Sequence, residues 1–396
     1  MMKKILYLAF RFPYPQTDGY KLRVFNYCKI LKELGYEVDL LFIYEDEKEY
    51  IEYVKQAKEV FSNIYPVKLN KFEKIKNLIG SFFKIQSLQE NIYITTNGKK
   101  LINEIKDKKY EFYISSYIRM FKYLLNIPKE KRIIDFTDSI SYHYDDARKL
   151  SSGIWNIIHK YEFNKVKKYE HFVLDNCDKR MITSPIDRDY ILKDYSGINK
   201  EIEIFSQGIN EELIKRRQSY TKKSEIKKLV FLGKMNYYPN EDAVINFCKN
   251  ILPKLKNVEL TIVGTSPTKK VLELKEKYNN INITGFVEDP YEYILDADIM
   301  IAPMRLGGGI QNKILEGMAL GKTVISYEER IKPIEGAENY KNIIGVKSND
   351  ELIDILNSIN FDFIMIGNEA KKLINRKYLW SSIKKKIDKF ITSNGK

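Results

Sequence analysis

Apolar positions along the chain fall into two similar series. Lys4–Phe10 is an apolar run without helical period, which predicts a buried strand. From Tyr20 to Leu34 the residues Leu22, Phe25, Tyr27, Ile30, Leu31 and Leu34 recur at helical spacing and stop at Gly35, predicting a helix. Glu37–Tyr44 predicts a second strand, and further strands are expected at Phe112–Ser115, Arg132–Thr137 and Arg180–Thr183. The pattern then restarts. Lys228–Leu232 predicts a strand ending at Gly233, and Asp242–Ile251 a helix closed by Pro253. Strands at Val258–Val263, Ile281–Thr284 and Ile299–Ala302 precede a helix over Gln311–Ala319 and a strand at Thr323–Ser326. Buried strands alternating with helices predict an α/β chain with two Rossmann-like, doubly wound parallel sheets. The join is expected within residues 208–226, where the apolar period is lost, and Glu369–Ile391 reads as one basic helix.

A length of 396 residues suits two domains of ~150–200 residues each. The formal net charge of +14 is uneven: +9 over residues 1–200, −3 over 201–370 and +8 over 371–396. That distribution suits an anionic partner that meets one half only, or else solvated lysines with no target. Cys28, Cys177 and Cys248 are scattered and form no C-x-x-C, and with only His143, His159 and His171 beside them no structural zinc is expected. The apolar run before Arg11 is too short for a signal-peptide core, and no stretch reaches ~18 apolar residues. A cytoplasmic protein, soluble or peripheral, is the expectation.

One loop carries candidate chemistry. In Pro303-Met-Arg305-Leu-Gly307-Gly308-Gly309-Ile310-Gln311-Asn312-Lys313-Ile-Leu-Glu316, three glycines admit a ligand close to the backbone, and the following helix offers free N–H groups to phosphate oxygens. Arg305 and Lys313 add positive charge, with Lys313 expected at the mouth of the site. Asn312 and Glu316 share a helix face, where a carboxylate suits the two hydroxyls of a ribose. A glycine-rich turn before an amphipathic helix, with Glu316 solvated, is the equally simple alternative.

The segment GGGIQNKILEGMALGKTVIS resembles the nucleotide-sugar signature of retaining GT-B enzymes of glycosyltransferase family 4. Its neighbours follow in the family's order: FSQGIN (205–210), FLGKMNYYPNEDAV (231–244), TIVGTSP (261–267) and ITGFVEDPYEYILDADIMIAPMRLGGG (283–309), with a weaker likeness at FRFPYPQTDGYKLR (10–23). The GGGIQNK form is most like sugar transferases of exopolysaccharide and exosortase-associated gene clusters. The resemblance implies an N-terminal acceptor-binding domain (1–205), a nucleotide-sugar-binding domain (206–370) and a basic C-terminal helix (371–396) returning to the first, with the two domains facing across a cleft. It also implies hexosyl transfer with retention, without a protein nucleophile.

Carried onto this chain, Glu316 matches the second Glu of the family's Glu-x7-Glu pair and is expected on the ribose. The first Glu would fall on Gly308, so the sugar is expected to meet the N–H groups of Gly308 and Gly309 or the Gln311 side chain. Lys234 and Lys313 are expected on the diphosphate, although Asn240 stands where the family usually has a further lysine. The base is expected at Gly285, Phe286 and Val287. In the first domain, Gly19 matches a glycine set against the diphosphate; Asp18, Lys21 and Arg23 follow as donor- or acceptor-side groups. Asp138, with Asp135 second, is expected at a strand end on the donor sugar or acceptor hydroxyl, unless it caps the following helix.

Asp296-Ala-Asp298 and Asp187-Arg-Asp189 read as helix connections, so no metal and no bound cofactor are expected. The expected partners are a nucleotide sugar and a glycan or lipid-linked acceptor, with no nucleic acid. Residues 67–87 (VKLNKFEKIKNLIGSFFKIQS) place Phe72, Ile75, Ile79 and Phe82 at helical spacing among Lys68, Lys71, Lys74, Lys76 and Lys84. Two readings stand: a core-facing helix with a wet lysine face, or an amphipathic helix on an anionic membrane at the inner face of the cytoplasmic membrane. Outside the transferase reading, a nucleotide-sugar epimerase of the same fold or a basic binding protein fits the same composition. The absence of G-x-G-x-x-G after the first strand and of G-x-x-x-x-G-K-[ST] argues against nicotinamide and P-loop chemistry.

Overall fold

The computed structural model describes residues 3–83, 86–150, 154–216, 227–307, 309–358 and 361–393. The chain divides into two compact units, Met1–Gln207 with Lys384–Lys396, and Gly208–Ile383. In the first unit the strands β1 (Lys4–Ala9), β2 (Glu37–Tyr44), β3 (Ile64–Lys68), β4 (Phe112–Ser116), β5 (Arg132–Asp135), β6 (Lys179–Ile182) and β7 (Glu203–Ile204) form one sheet in the order β3-β2-β1-β4-β5-β6-β7. Every pairing in it is parallel. In the second unit β8 (Lys227–Leu232), β9 (Val258–Val263), β10 (Ile281–Gly285), β11 (Ile299–Ala302), β12 (Thr323–Tyr327) and β13 (Ile344–Val346) form a parallel sheet in the order β10-β9-β8-β11-β12-β13.

Burial explains why these segments are strands. In the second sheet Leu229, Phe231, Ile299 and Ile301 enter one apolar cluster, while their neighbours Val230, Met300 and Ala302 enter the cluster on the other face. The two-residue alternation of the strand thus buries both faces, as a sheet covered by helices on each side requires. Each fully buried Leu, Ile or Phe contributes about 1.5–3 kcal/mol. The sheet order reverses direction between β1 and β4, and again between β8 and β11. Such switch points, at the carboxyl ends of the strands, are where open α/β sheets bind ligands.

The structure departs from the expectations at three points. The single C-terminal helix is two, Phe363–Lys377 and Trp380–Thr392. Between them the Ile209 N–H donates to the Tyr378 carbonyl (2.7 Å) and the Trp380 N–H to the Ile209 carbonyl (3.3 Å), so a strand-like bridge interrupts the helical ladder. β3 carries no clear strand signature in the sequence because Pro66 interrupts IYPVK; an edge strand tolerates a proline. β13 is only three residues long. Of the expected join, residues 217–226 lie outside the described residues, whereas Glu211–Lys215 is a short helix. Among the described residues no helix is long and apolar enough to cross a membrane.

Candidate active site

In the second unit the switch point is built by three strand-end loops. After β8 the Gly233 N–H donates to the Val263 carbonyl (3.0 Å), and the Met235 N–H donates to Thr265 (2.8 Å), which clamps the β8 and β9 loops together. Gly264 makes this possible: a Cβ there would stand 1.8 Å from the Gly233 carbonyl oxygen. After β11 the glycine loop turns through Gly307 (φ +108°) and Gly309 (φ +64°), left-handed conformations that favour glycine. Gly308 lies outside the described residues. The helix Asn312–Ala319 begins at Gln311, whose side chain makes no capping hydrogen bond, and half-buried Ile310 packs on the core below it.

Lys313 and Glu316 leave this helix toward the same switch point but not as expected. Lys313 is buried rather than at the mouth. Its Nζ donates to Asn240 Oδ1 (2.5 Å), lies 3.7 Å from Met304 Sδ and stands 4.4 Å from the centre of the Phe231 ring. A Cβ on Gly233 would come within 3.0 Å of it. Burial holds the ammonium well below its ordinary pKa, and Glu316 only partly restores it. Burial likewise raises the Glu316 carboxyl, opposed by Lys313 and by a hydrogen bond from Tyr291. An anion arriving here would meet a cation short of counter-charge, and the Lys313 pKa would rise on its arrival. Lys234 is exposed at the end of β8, with no ion pair among the described residues.

Arg305 does not join them. Its Nε donates to Asp242 Oδ2 (3.0 Å), and its Nη2 pairs with the other Asp242 oxygen (2.5 Å). The expected phosphate cation is therefore held by a carboxylate of the helix after β8. Asn312 remains half-buried on the first turn, and the Gln311 amide lies near Gly307. At the end of β10, Gly285 is left-handed (φ +69°), Phe286 is 75% exposed and Val287 packs on the core.

In the first unit the β1 end and the following helix answer part of the expectation. Asp18 is the N-cap of the helix Gly19–Glu33: its carboxylate accepts the Lys21 N–H (3.1 Å) and pairs with Arg11 (2.8 Å), so its charge is spent locally. Gly19 is exposed at the first helical position. Arg23 and Asp135 are the clear corrections. They form a buried two-pronged ion pair, Nε and Nη2 each 2.9 Å from a carboxylate oxygen, with Nη1 donating to the Phe205 carbonyl (2.8 Å). Side-chain exposures of 1% and 0% leave neither open to a ligand; a buried charge needs such a partner.

Asp138 is different. Ser139, not Asp138, serves the following helix, its hydroxyl accepting the Tyr142 N–H (3.1 Å). The half-buried Asp138 carboxylate accepts instead from Tyr117 Oη (3.3 Å) and Thr183 Oγ1 (3.1 Å). Both Tyr117 and Thr137 hold φ of +59°, a strained conformation for such side chains. Behind them Asp187 and Glu170 are buried, and desolvation raises them to about 6 and about 7. The first unit also holds a cavity of about 510 Å³ at the ends of β1 and β2, lined by Phe10, Phe12, Tyr44, Glu45, Tyr53 and Tyr93, with Lys21 at its wall.

Sequence reasoning missed Tyr291, Asn240 as the partner of Lys313, Tyr117, Thr183 and this aromatic cavity. The aromatic-rich segments around Phe10 and Tyr44 were the available signal. Among the described residues no cluster of His, Cys, Asp and Glu suits a metal. Asp296 and Asp298 serve Lys228, through its ammonium (2.9 Å) and its N–H (2.7 Å).

Residues 226–360 match the family described as Glycosyl transferases group 1. The chain is similar to an uncharacterized glycosyltransferase of Methanocaldococcus jannaschii, 23% identical over 278 residues, 64% of this chain and 63% of that protein's length. Its architecture is shared with a sucrose-phosphate synthase from Thermosynechococcus elongatus, at TM-score 0.71 and 12% identity over 97% of each chain. A point mutant of S. aureus TarM, solved with fondaparinux, alpha-GlcNAc-glycerol and UDP, aligns at TM-score 0.69 and 14% identity over 99% of this chain and 100% of that one. The fold is GT-B. Within that fold the matched segment contains the whole corner built by Gly233, Lys234, Asn240, Lys313 and Glu316.

Proposed function

We propose that the protein is a glycosyltransferase that moves a hexose-type sugar from a nucleotide-diphosphate donor to a glycan or lipid-linked acceptor, in surface polysaccharide or glycoconjugate synthesis. The observation that carries this reading is the convergence of Gly233, Lys313 and Glu316 at one switch point inside the segment that matches group 1 glycosyl transferases. Glu316 takes the ribose hydroxyls, with Tyr291 steering its carboxylate. Backbone N–H groups from Gly307 to Asn312 and the cations Lys234 and Lys313 take the diphosphate; Gly285 and Val287 line the base, with the exposed Phe286 ring beside it. The UDP bound in the TarM structure favours uridine.

Chemistry follows from charge. As the anomeric C–O bond breaks, negative charge develops on the leaving diphosphate, and fixed N–H dipoles and cations aimed at it lower the barrier. Transfer proceeds with retention; a diphosphate oxygen accepts the proton of the acceptor hydroxyl, and no protein nucleophile is required. Asp138, held by Tyr117 and Thr183, orients the sugar or the attacking hydroxyl. The first unit's aromatic cavity suits a sugar ring of the acceptor, with apolar ring faces against Phe10, Phe12 and Tyr53 and carboxylates for hydroxyls. No metal and no bound cofactor takes part, and the protein works in the cytoplasm at the membrane's inner face.

Product analysis by NMR tests the reading. Incubation with UDP- and GDP-hexoses and a saccharide acceptor is expected to give an acceptor-linked sugar with the donor's anomeric configuration. An epimerised free nucleotide sugar, formed without any acceptor, would contradict it.

A further inference from the structure

The helix Lys71–Phe83 is built inside out. Its polar residues hold it to the protein: Glu73 accepts the Thr96 N–H (3.1 Å), Asn77 Nδ2 donates to the Ile94 carbonyl (2.7 Å), and buried Ser81 accepts from Asn91 Nδ2 (3.0 Å). These three lie at i, i+4 and i+8, one stripe of the helix. Phe72, Ile75 and Ile79 point the other way. Phe72 is 78% exposed, Ile75 55% and Ile79 54%, a row at i, i+3 and i+7 facing water. An ordinary surface helix buries its apolar stripe and wets its polar one. Here the arrangement is reversed, and contiguous exposed apolar rows of this kind mark interaction surfaces. The side chain of Phe82 and residues 84 and 85 lie outside what is described.

Charge identifies the partner. Lys68, Lys71 and Lys76 are exposed on and beside this helix, while Lys74 is held by Glu45 (2.5 Å) and Glu73 is engaged by the Thr96 N–H. An apolar row edged by free lysines matches a bilayer surface rich in anionic headgroups: the rings and methyls enter the acyl boundary and the lysine stems reach back to phosphates. We infer that the Phe72, Ile75 and Ile79 face, flanked by Lys68, Lys71 and Lys76, docks the protein on an anionic phospholipid membrane. Glu45, which anchors Lys74, also lines the aromatic cavity at the ends of β1 and β2. Docking through this helix therefore brings that cavity's rim close to the membrane, where a lipid-linked saccharide would be met. The surface itself stands apart from the transferase reading, since vesicle binding needs no donor.

Sedimentation with phosphatidylglycerol-containing and pure phosphatidylcholine vesicles tests it on the full chain. The protein is expected to partition onto the anionic vesicles and weakly onto the neutral ones. F72S/I75S/I79S should abolish partition, and K68Q/K71Q/K76Q should weaken it about fivefold per lysine. Both variants should keep the wild-type melting temperature, which shows that they fold. Equal partition onto both vesicle types, or unchanged binding by the serine variant, would overturn the inference. So would a dimer in solution that the serine variant breaks, with no vesicle binding: the face would then belong to a second copy.

Discussion

Lys313 and Glu316 lie three residues apart on one helix, opposite in charge and both disfavoured as ions by burial. A lysine left there without an anion is costly, and Asn240, with one carbonyl oxygen, supplies only a dipole in compensation. The sequence shows both residues but not this relation, because 73 positions separate Lys313 from Asn240. Glu316 was legible from its spacing and motif; Tyr291 was not, because nothing in EDPYEY distinguishes a site tyrosine from a surface one. The partner of Arg305 was hidden for a similar reason: Asp242 stands 63 positions away in the chain. In the first unit, Asp138 has two hydroxyl donors and strained neighbours. Asp138→Asn is expected to lower turnover ~10²-fold or more while leaving donor affinity within about twofold. Steady-state kinetics paired with donor titration checks this; equal loss of turnover and affinity would move Asp138 to a binding or structural role.

Elements held by buried charge give stability predictions. Arg23 joins the helix Gly19–Glu33 to β5 and to Phe205, just after β7. Removing one member strands the other, so Arg23→Met should cost about 3–5 kcal/mol, read as a lowered denaturant midpoint at unchanged slope. A change below ~1 kcal/mol would mean the pair is not buried as described. Glu170 is buried against Ser141, and desolvation raises its carboxyl to about 7, against ~4.3 in an unfolded chain. The folded state therefore keeps a proton that the unfolded state has lost, and the stability this confers fades as pH rises from about 4 through about 7. Glu170→Gln cannot titrate, so the wild type should lose stability relative to this variant between about pH 5 and pH 8. Parallel melting curves would refute the assignment. Most strands were legible because short runs rich in Ile, Val, Leu and aromatic residues without helical period have few alternatives. The failures were physical as well: an edge strand carrying a proline, a three-residue strand, and a helix broken by a bridge to Ile209.

At the scale of the molecule, both units repeat one plan, a parallel sheet whose order reverses beside its first strand. That plan was readable from alternation alone, and the motifs located the second unit's switch point because the loops there are glycine-rich. The first unit's aromatic cavity was hidden, since its walls come from segments after β1 and β2 with no shared spacing. No cluster of metal ligands appears among the described residues. Transfer is proposed to depend on lysines and N–H dipoles alone, so turnover should survive exhaustive chelation; loss on chelation, restored by a divalent cation, would contradict this. A nucleotide diphosphate is proposed to dock where the β8 and β11 loops meet the Asn312–Ala319 helix. Calorimetric titration of UDP and GDP into the wild type and Glu316→Ala tests it most directly. The wild type is expected to bind one nucleotide saturably, with binding weakened by about 1.5–3 kcal/mol in the variant. Equal affinity in both proteins would contradict it.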